Sequence, residues 1–394
     1  MDKQKHTAAF EAPDLAPVIV TEHTRAGWRG LTEDGEIYNV NAHVNGEPAY
    51  IPESLGITLR DQTIGYRKVE QKTSEGVIDK YLHHLNESTK LTRLNDHDGA
   101  LTEIGTAMSY APTRLARYNR SMILLSLGYF SQGFDDFARC ERECELFMRP
   151  QFKAAIDKGL VPWRGQPLAG KVLLLLHDHG FGDTIMCLRF LPMLKAMGAG
   201  AIVMQCPEEL DAIVHQHVPT TRDLIECDYV CSTLMLMQVL QEFPGDDRGP
   251  YIKTDPKLVE KWRATLRPDH KHIGIAWDVG KAQDGDFPRA CPLELFDKHL
   301  GNNETDLCPV QQVQGAFADF ADCAALMSLM DEIVTVDTAA AHLAGAIGHR
   351  NVTLLLSRWH SWRWLMPLYP NMRICIQPTD GDWDGCFAQR HALL

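Results

Sequence analysis

Three short tracts hold the residue types that could do chemistry. The first is His177-Asp178-His179-Gly180-Phe181-Gly182-Asp183-Thr184. Glycines at 180 and 182 let a turn come close to a ligand. A helix starting there aims free N–H groups beyond the end of the preceding strand. Asp183 then has two readings, a cap for its own helix or a general base facing a cleft. His177, Asp178 and His179 have metal-ligand chemistry, but no matching cluster accompanies them, so no metal is expected.

The second tract is Val336-Asp337-Thr338-Ala339-Ala340-Ala341-His342-Leu343-Ala344-Gly345-Ala346. An apolar strand runs straight into a helix of small residues. The Thr338 hydroxyl and the N–H groups of Ala339 and Ala340 suit phosphate oxygens, and the helix dipole favours the negative charge. His342, one turn on, shares that face and could donate to a phosphate or simply pack. The third tract is Trp277-Asp278-Val279-Gly280-Lys281, with Asp286 and Arg289 downstream and Gln311 expected to border it. Lys281 and Arg289 are cations suited to phosphate, Arg289 through a two-pronged fork. The spaced pairs Cys140/Cys144 and Cys227/Cys231 lack the partners a zinc site needs. Trp359, Trp362 and Trp364 read as core or interface packing more readily than as a sugar platform.

The elements that must position these tracts form an α/β pattern. Residues 171–176 read as a buried strand, 184–197 as a helix, 201–205 as a strand and 207–215 as a helix. A third strand is expected at 224–226 and a linker at 243–250. A helix at 257–266 leads into a second block. There, strands at 272–277, 308–313, 332–336 and 351–356 alternate with helices at 292–300, 320–330 and 339–347. Such alternation predicts parallel strands joined by helices. Residues 77–150 have helical spacing. Ala100, Ile104, Ala107 and Pro112 fit one tetratricopeptide-like repeat and 124–129, Gly133 and Phe137 the next, with a plain helical hairpin or three-helix layer as the alternative. Before them, 37–40 and 49–51 read as hairpin strands around Asn45-Gly46, and Asp34-Gly35 as another tight turn.

The chain has 394 residues and a net charge of −13, with no basic region. That argues against nucleic acid and anionic membrane surfaces as partners. Residues 1–10 are polar and lack an apolar run, and the 11 cysteines are scattered. A reduced, cytoplasmic protein with no membrane span is the expectation.

The order strand–Gly-x-Gly-Asp–helix, then strand–Trp loop–Arg, then Val-Asp-Thr-x-x-x-His-Leu-Ala-Gly-Ala resembles the heptosyltransferase-like (family 9 type) glycosyltransferases. It is most similar to the group with tetratricopeptide repeats in front. The likeness extends over roughly 80–388 and takes in Ser361-Trp362-Arg363-Trp364 and Gly381-Asp382-Trp383-Asp384. Where such relatives carry Glu-Gln before the Gly-x-Gly-Asp turn, this chain has Asp178-His179. The resemblance implies a GT-B architecture, two Rossmann-like domains facing across a cleft. Four parts follow: an extension at 1–76, a tetratricopeptide-like helical module at 77–150, an acceptor-side domain at 151–250 and a nucleotide-sugar domain at 251–394.

It also implies an inverting transfer from a nucleotide-diphosphate sugar, without metal or cofactor, to an acceptor hydroxyl. Asp183 matches the base of that family. Asp337, Thr338 and His342 match its donor-phosphate motif. Gly180, Gly182, Thr184, Trp277, Lys281, Arg289, Gln311 and Ala339 complete the expected nucleotide-sugar site. The acceptor could be a saccharide, a protein or a small molecule, and the helical module could hold a protein partner. Two other functions compete: a non-catalytic partner-binding protein on a degenerate scaffold, and an epimerase or hydrolase on the same fold. Asp183 discriminates: a carboxylate reaching into a cleft favours catalysis, and one that only caps its helix favours the partner-binding protein.

Overall fold

The computed structural model describes residues 9–11, 18–24, 27–40, 42–44, 47–50, 64–68, 76–143, 149–177, 179–243, 249–279, 289–311, 317–366 and 368–393; before 29, and in 38–68 and 141–143, it describes backbone only. The chain divides into two units, Met1–Met148 and Arg149–Leu394.

The first unit opens with short strands: β1 (Ala9–Glu11), β2 (Val18–Thr24), β3 (Gly27–Thr32), β4 (Ile37–Val40), β5 (Ala42–Val44), β6 (Glu47–Tyr50) and β7 (Ile64–Lys68). They form an antiparallel β2-β3-β4 sheet and a β1-β7-β6-β5 sheet in which β1 runs parallel to β7. The strand at 37–40 therefore pairs backwards, across the Asp34-Gly35 turn, with β3. The strands flanking 45–46 are β5 and β6, and the turn itself lies outside the described residues. Four helices follow: α1 (Val77–Arg93), α2 (His97–Tyr110), α3 (Arg114–Ser126) and α4 (Phe130–Glu143).

Side-chain oxygens start two of them. Asp96 accepts from Gly99 N–H at 3.0 Å and Thr113 from Ala116 N–H at 3.0 Å. Ala100, Ile104 and Ala107 are the buried face of α2. A Cβ on Gly133 of α4 would lie 2.7 Å from Leu125 Cγ of α3, so only glycine permits that approach. Leu31 of β3 is fully buried with Ile78, Tyr81, Ile104 and Ala107. The extension's β3 thus shares the helices' core.

In the second unit, α5 (Pro150–Asp157) precedes β8 (Val172–Leu176), α6 (Phe181–Cys187), a 3-10 turn at Leu188–Phe190, α7 (Leu191–Ala196), β9 (Ala201–Gln205), α8 (Glu208–Val214), β10 (Thr220–Thr221), β11 (Tyr229–Ser232) and α9 (Leu236–Leu240). The strands make a parallel sheet, β10-β9-β8-β11. The expected helix at 184–197 begins earlier and is interrupted, with Pro192 inside the first turn of α7. The third strand is not at 224–226; β10 and β11 lie on either side of that stretch.

The second half continues with α10 (Pro256–Arg263), β12 (Lys271–Ala276), α11 (Leu293–Leu300), β13 (Thr305–Pro309), α12 (Phe320–Met327), β14 (Glu332–Val336), α13 (Ala339–Ala346), β15 (Val352–Leu356), a 3-10 turn at Trp362–Leu365, β16 (Met372–Ile376) and α14 (Trp383–Leu393). Its sheet is parallel throughout, in the order β13-β12-β14-β15-β16. Every residue of β14 and β15 is buried, so both are mostly apolar rather than alternating, with Glu332, Thr335 and Thr353 as their polar members. Ile275, Phe296, Val334, Val336, Leu355 and Phe387 fill one face. Each such side chain contributes about 1.5–3 kcal/mol on burial. Glu332, at the first residue of β14, is fully buried and gripped by the Arg390 fork of α14 at 2.8 and 2.6 Å. Burial pushes its carboxyl up, but Arg390 and, to a smaller extent, Lys271 together hold it below its ordinary value. Among the described residues, no helix is long and apolar enough to cross a membrane.

Candidate functional site

The segments leaving the carboxyl ends of β8 and β14 meet, and α6 packs on α13. Small residues make this possible. A Cβ on Gly182 would lie 2.6 Å from His342 Cδ2 and 3.5 Å from Ala339 Cα, so α6 and α13 touch through a missing side chain. On the other side of α13, a Cβ on Gly345 would lie 2.2 Å from the Tyr369 ring. The glycine of the first tract therefore serves close protein packing. Gly180 needs no such explanation; a Cβ there would meet only Asp183 Oδ2, at 3.6 Å.

Asp183 sits one turn inside α6, whose N-cap is Gly180. Its Oδ2 accepts from the Gly180 N–H at 3.3 Å, which satisfies the helix start. Its Oδ1 accepts from Arg363 Nε at 2.5 Å. Arg363 belongs to the 3-10 turn after β15, so the pair bridges the two sheets. The Asp183 and Arg363 side chains are only 12% and 21% exposed, which separates them from an ordinary surface pair. Burial pushes the Asp183 carboxyl up, but the Arg363 charge and hydrogen bond, with smaller help from His179 and His342, hold it below its ordinary value.

His342 is buried against this pair. Its Nδ1 and the Tyr369 hydroxyl are 3.1 Å apart, and its ring stacks on Trp364 at 4.6 Å. Desolvation drives its pKa down to about 3 despite the pull of Asp183, so it is neutral near pH 7. His179 is pushed down to about 4 by burial, again against Asp183. His177 Nδ1 lies 2.7 Å from the Thr184 hydroxyl, and Thr184 is fully buried. The Thr184 oxygen is thus used inside the protein.

Thr338 caps α13, accepting from Ala340 N–H at 3.3 Å, and the first turn of α13 holds no acidic residue. Asp337 is buried. Arg289 Nη1 donates to its carbonyl at 3.3 Å and lies 3.6 Å from its carboxylate. The fork expected on a phosphate therefore engages Asp337. Gln311 Oε1 accepts from the N–H groups of Trp277 and Asp278 at 2.8 and 3.0 Å, so it pins the loop after β12. Lys281 lies outside the described residues, as does Asp178. The structure thus gathers Gly182, Asp183, Ala339 and His342 at one point, with Thr338 and Asp337 beside them.

Sequence reasoning missed Arg363, Tyr369 and Arg189. Arg189 is buried. Its Nε donates to the Met186 carbonyl at 3.0 Å, and Nη1 and Nη2 donate to the Leu368 carbonyl at 3.2 and 3.3 Å. It ties the turn after α6 to the loop before β16. Its signal was an arginine inside an apolar run, Leu188-Arg189-Phe190-Leu191. Arg363 stood within Ser361-Trp362-Arg363-Trp364, where spacing alone gave it no partner.

No protein-family model matches the chain. It is 24% identical over 351 residues to the protein FlbA of Caulobacter vibrioides, across 74% of this chain and 57% of the relative. The chain therefore spans little more than half the length of that curated relative. Among solved structures it is similar to a glycosyl transferase family 9 protein from Veillonella parvula, with a TM-score of 0.39, 13% identity, and coverage of 54% of this chain and 88% of that one. It is also similar to the E. coli ADP-heptose lps heptosyltransferase II, with a TM-score of 0.35, 11% identity, and coverage of 56% and 99%.

Proposed function

We propose that this chain is an inverting glycosyltransferase using a nucleotide-diphosphate sugar, with Asp183 as general base. One observation carries the reading. A carboxylate in the first turn of α6 and the acid-free first turn of α13 lie on helices packed against each other, and Arg363 from the turn after β15 bonds that carboxylate. The acceptor hydroxyl would give its proton to Asp183 as its oxygen bonds to the anomeric carbon. The anomeric C–O bond to phosphate would break, and its electron pair would leave with the diphosphate. The α13 N–H groups and Arg363 would stabilise that charge. A GT-B arrangement, with acceptor-side and donor-side domains at 151–250 and 251–394, belongs to the same proposal. So does a tetratricopeptide-like module in α1–α4 that binds a protein partner.

A second reading has its own observation. Both Asp183 oxygens are already engaged, one by Gly180 N–H and one by Arg363. A permanently occupied base would suit a non-catalytic scaffold. A thermal-shift screen of the full chain against ADP, GDP, UDP, CDP and their sugars tests both. A stabilising shift with one nucleotide class, followed by sugar transfer to an acceptor, supports the enzyme. No shift with any of them overturns it.

A further inference from the structure

We propose that Arg363 is an exchangeable counter-ion: it holds Asp183 in the free protein and transfers to the donor's diphosphate at the start of α13, freeing Asp183 only when donor is bound. This inference rests on the glycosyltransferase reading above and adds to it the order in which base and donor become engaged.

The arginine's placement is the first argument. It reaches across from the turn after β15 to a carboxylate on α6, and that turn also carries Trp364, which stacks on His342 of α13. Its Nη1 donates to Ser361 Oγ at 3.0 Å, and its guanidinium lies 4.6 Å from the Trp362 ring centre. Nε thus holds the base and Nη1 holds Ser361, which leaves Nη2 without a hydrogen bond to a described residue.

The charges around the pair are the second argument. Asp183 is faced by Arg363 from the turn after β15, by His177 and His179 from the segment after β8, and by His342 from α13. Asp337, at the end of β14, also acts on Arg363, but it has Arg289 as its own cation. Arg363 is thus the one cationic side chain bonded to Asp183 among the described residues. Once it leaves, a desolvated carboxylate remains beside neutral imidazoles, and desolvation makes a carboxylate more basic. A diphosphate offers Arg363 more charge than one carboxylate does, and in a geometry its fork matches.

The Trp364 ring, stacked on His342 of α13, carries an unpartnered donor. The Trp364 indole Nε1–H is buried, with the residue 5% exposed, and has no hydrogen-bond partner among the described residues. A buried donor without an acceptor costs about 1–3 kcal/mol. An acceptor-rich ligand beside α13 would satisfy it.

The test uses the full chain. Calorimetric titration with ADP, GDP, UDP and CDP identifies the diphosphate that binds. The Asp183 carboxyl is then titrated by carbon-13 NMR, assigned by its loss in Asp183→Asn. Saturating diphosphate is expected to raise the Asp183 midpoint. Arg363→Gln is expected to raise it without ligand and to weaken diphosphate binding at least tenfold, with Arg363→Lys recovering part of the affinity. If Arg363→Gln does not fold, the wild-type titration and Arg363→Lys carry the test. An Asp183 midpoint that is the same with and without bound diphosphate overturns the exchange while leaving the transferase reading standing. If no diphosphate binds the wild-type chain, both fall.

Discussion

After β8 the chain turns through Gly180 into α6; after β14 it turns through Thr338 into α13. The two strand-to-helix turns are alike in topology and differ in the group that caps the helix. α6 satisfies its start with its own carboxylate, Asp183 reaching back to Gly180 N–H. α13 uses a neutral hydroxyl, and its first turn contains no acid. The first helix start therefore carries its own negative group, and the first turn of the second does not. A base and an anion cradle need this asymmetry. Two acid-capped starts would repel a diphosphate, and two hydroxyl-capped starts would offer no base.

Asp183→Asn breaks the asymmetry at its source and has the largest expected effect. Transfer should fall about 10²–10⁴-fold while donor binding persists. Transfer at the wild-type rate would remove Asp183 from the base role. Gly182→Val strikes the point where the turns touch. Its side chain would enter space held by His342 and Ala339. We expect a loss of about 1–3 kcal/mol by urea denaturation; an unchanged midpoint would mean that α6 and α13 are not in contact.

Acid tests the neutral imidazoles that line both turns. Burial holds His342 down to about 3 and His179 to about 4, whereas the unfolded chain's histidines titrate near 6.5. Below about 6.5 the unfolded chain takes up protons that the folded one refuses, so stability falls as pH falls. His342 alone contributes a slope of about 1.4 kcal/mol per pH unit between these limits. Denaturation midpoints at pH 7, 6 and 5 would show it, and His342→Phe should flatten the curve. Equal midpoints would mean the ring is exposed or charged. The smallest effect belongs to Thr338→Ala, which removes the α13 cap at a cost of about 1 kcal/mol and should weaken diphosphate binding. A variant with full stability would show that this hydroxyl does not cap.

Parallel α/β organisation was legible because buried strands read as apolar runs. β8, β9, β12, β14 and β15 lie where their residues predict. The edge regions were less legible. β10 has two residues, and β11 begins three residues past the expected 224–226 strand, so neither leaves much pattern. In the first unit, register followed which turn closed which hairpin, and two turn signals stood close together.

The sequence by itself determined the local chemistry. It put an acid in a glycine-rich turn after a strand, and a hydroxyl at the head of a helix of small residues. Hydrogen-bonding capacity and backbone freedom are properties of single residues and their near neighbours, so these were readable. Only the tertiary structure decided which of those groups remain available. Arg363 stands 180 residues from Asp183 and Arg289 stands 48 from Asp337, and no periodicity links such distant positions. Each pairing depends on how the sheets and their loops come together, and burial then holds His342 and His179 neutral at the junction.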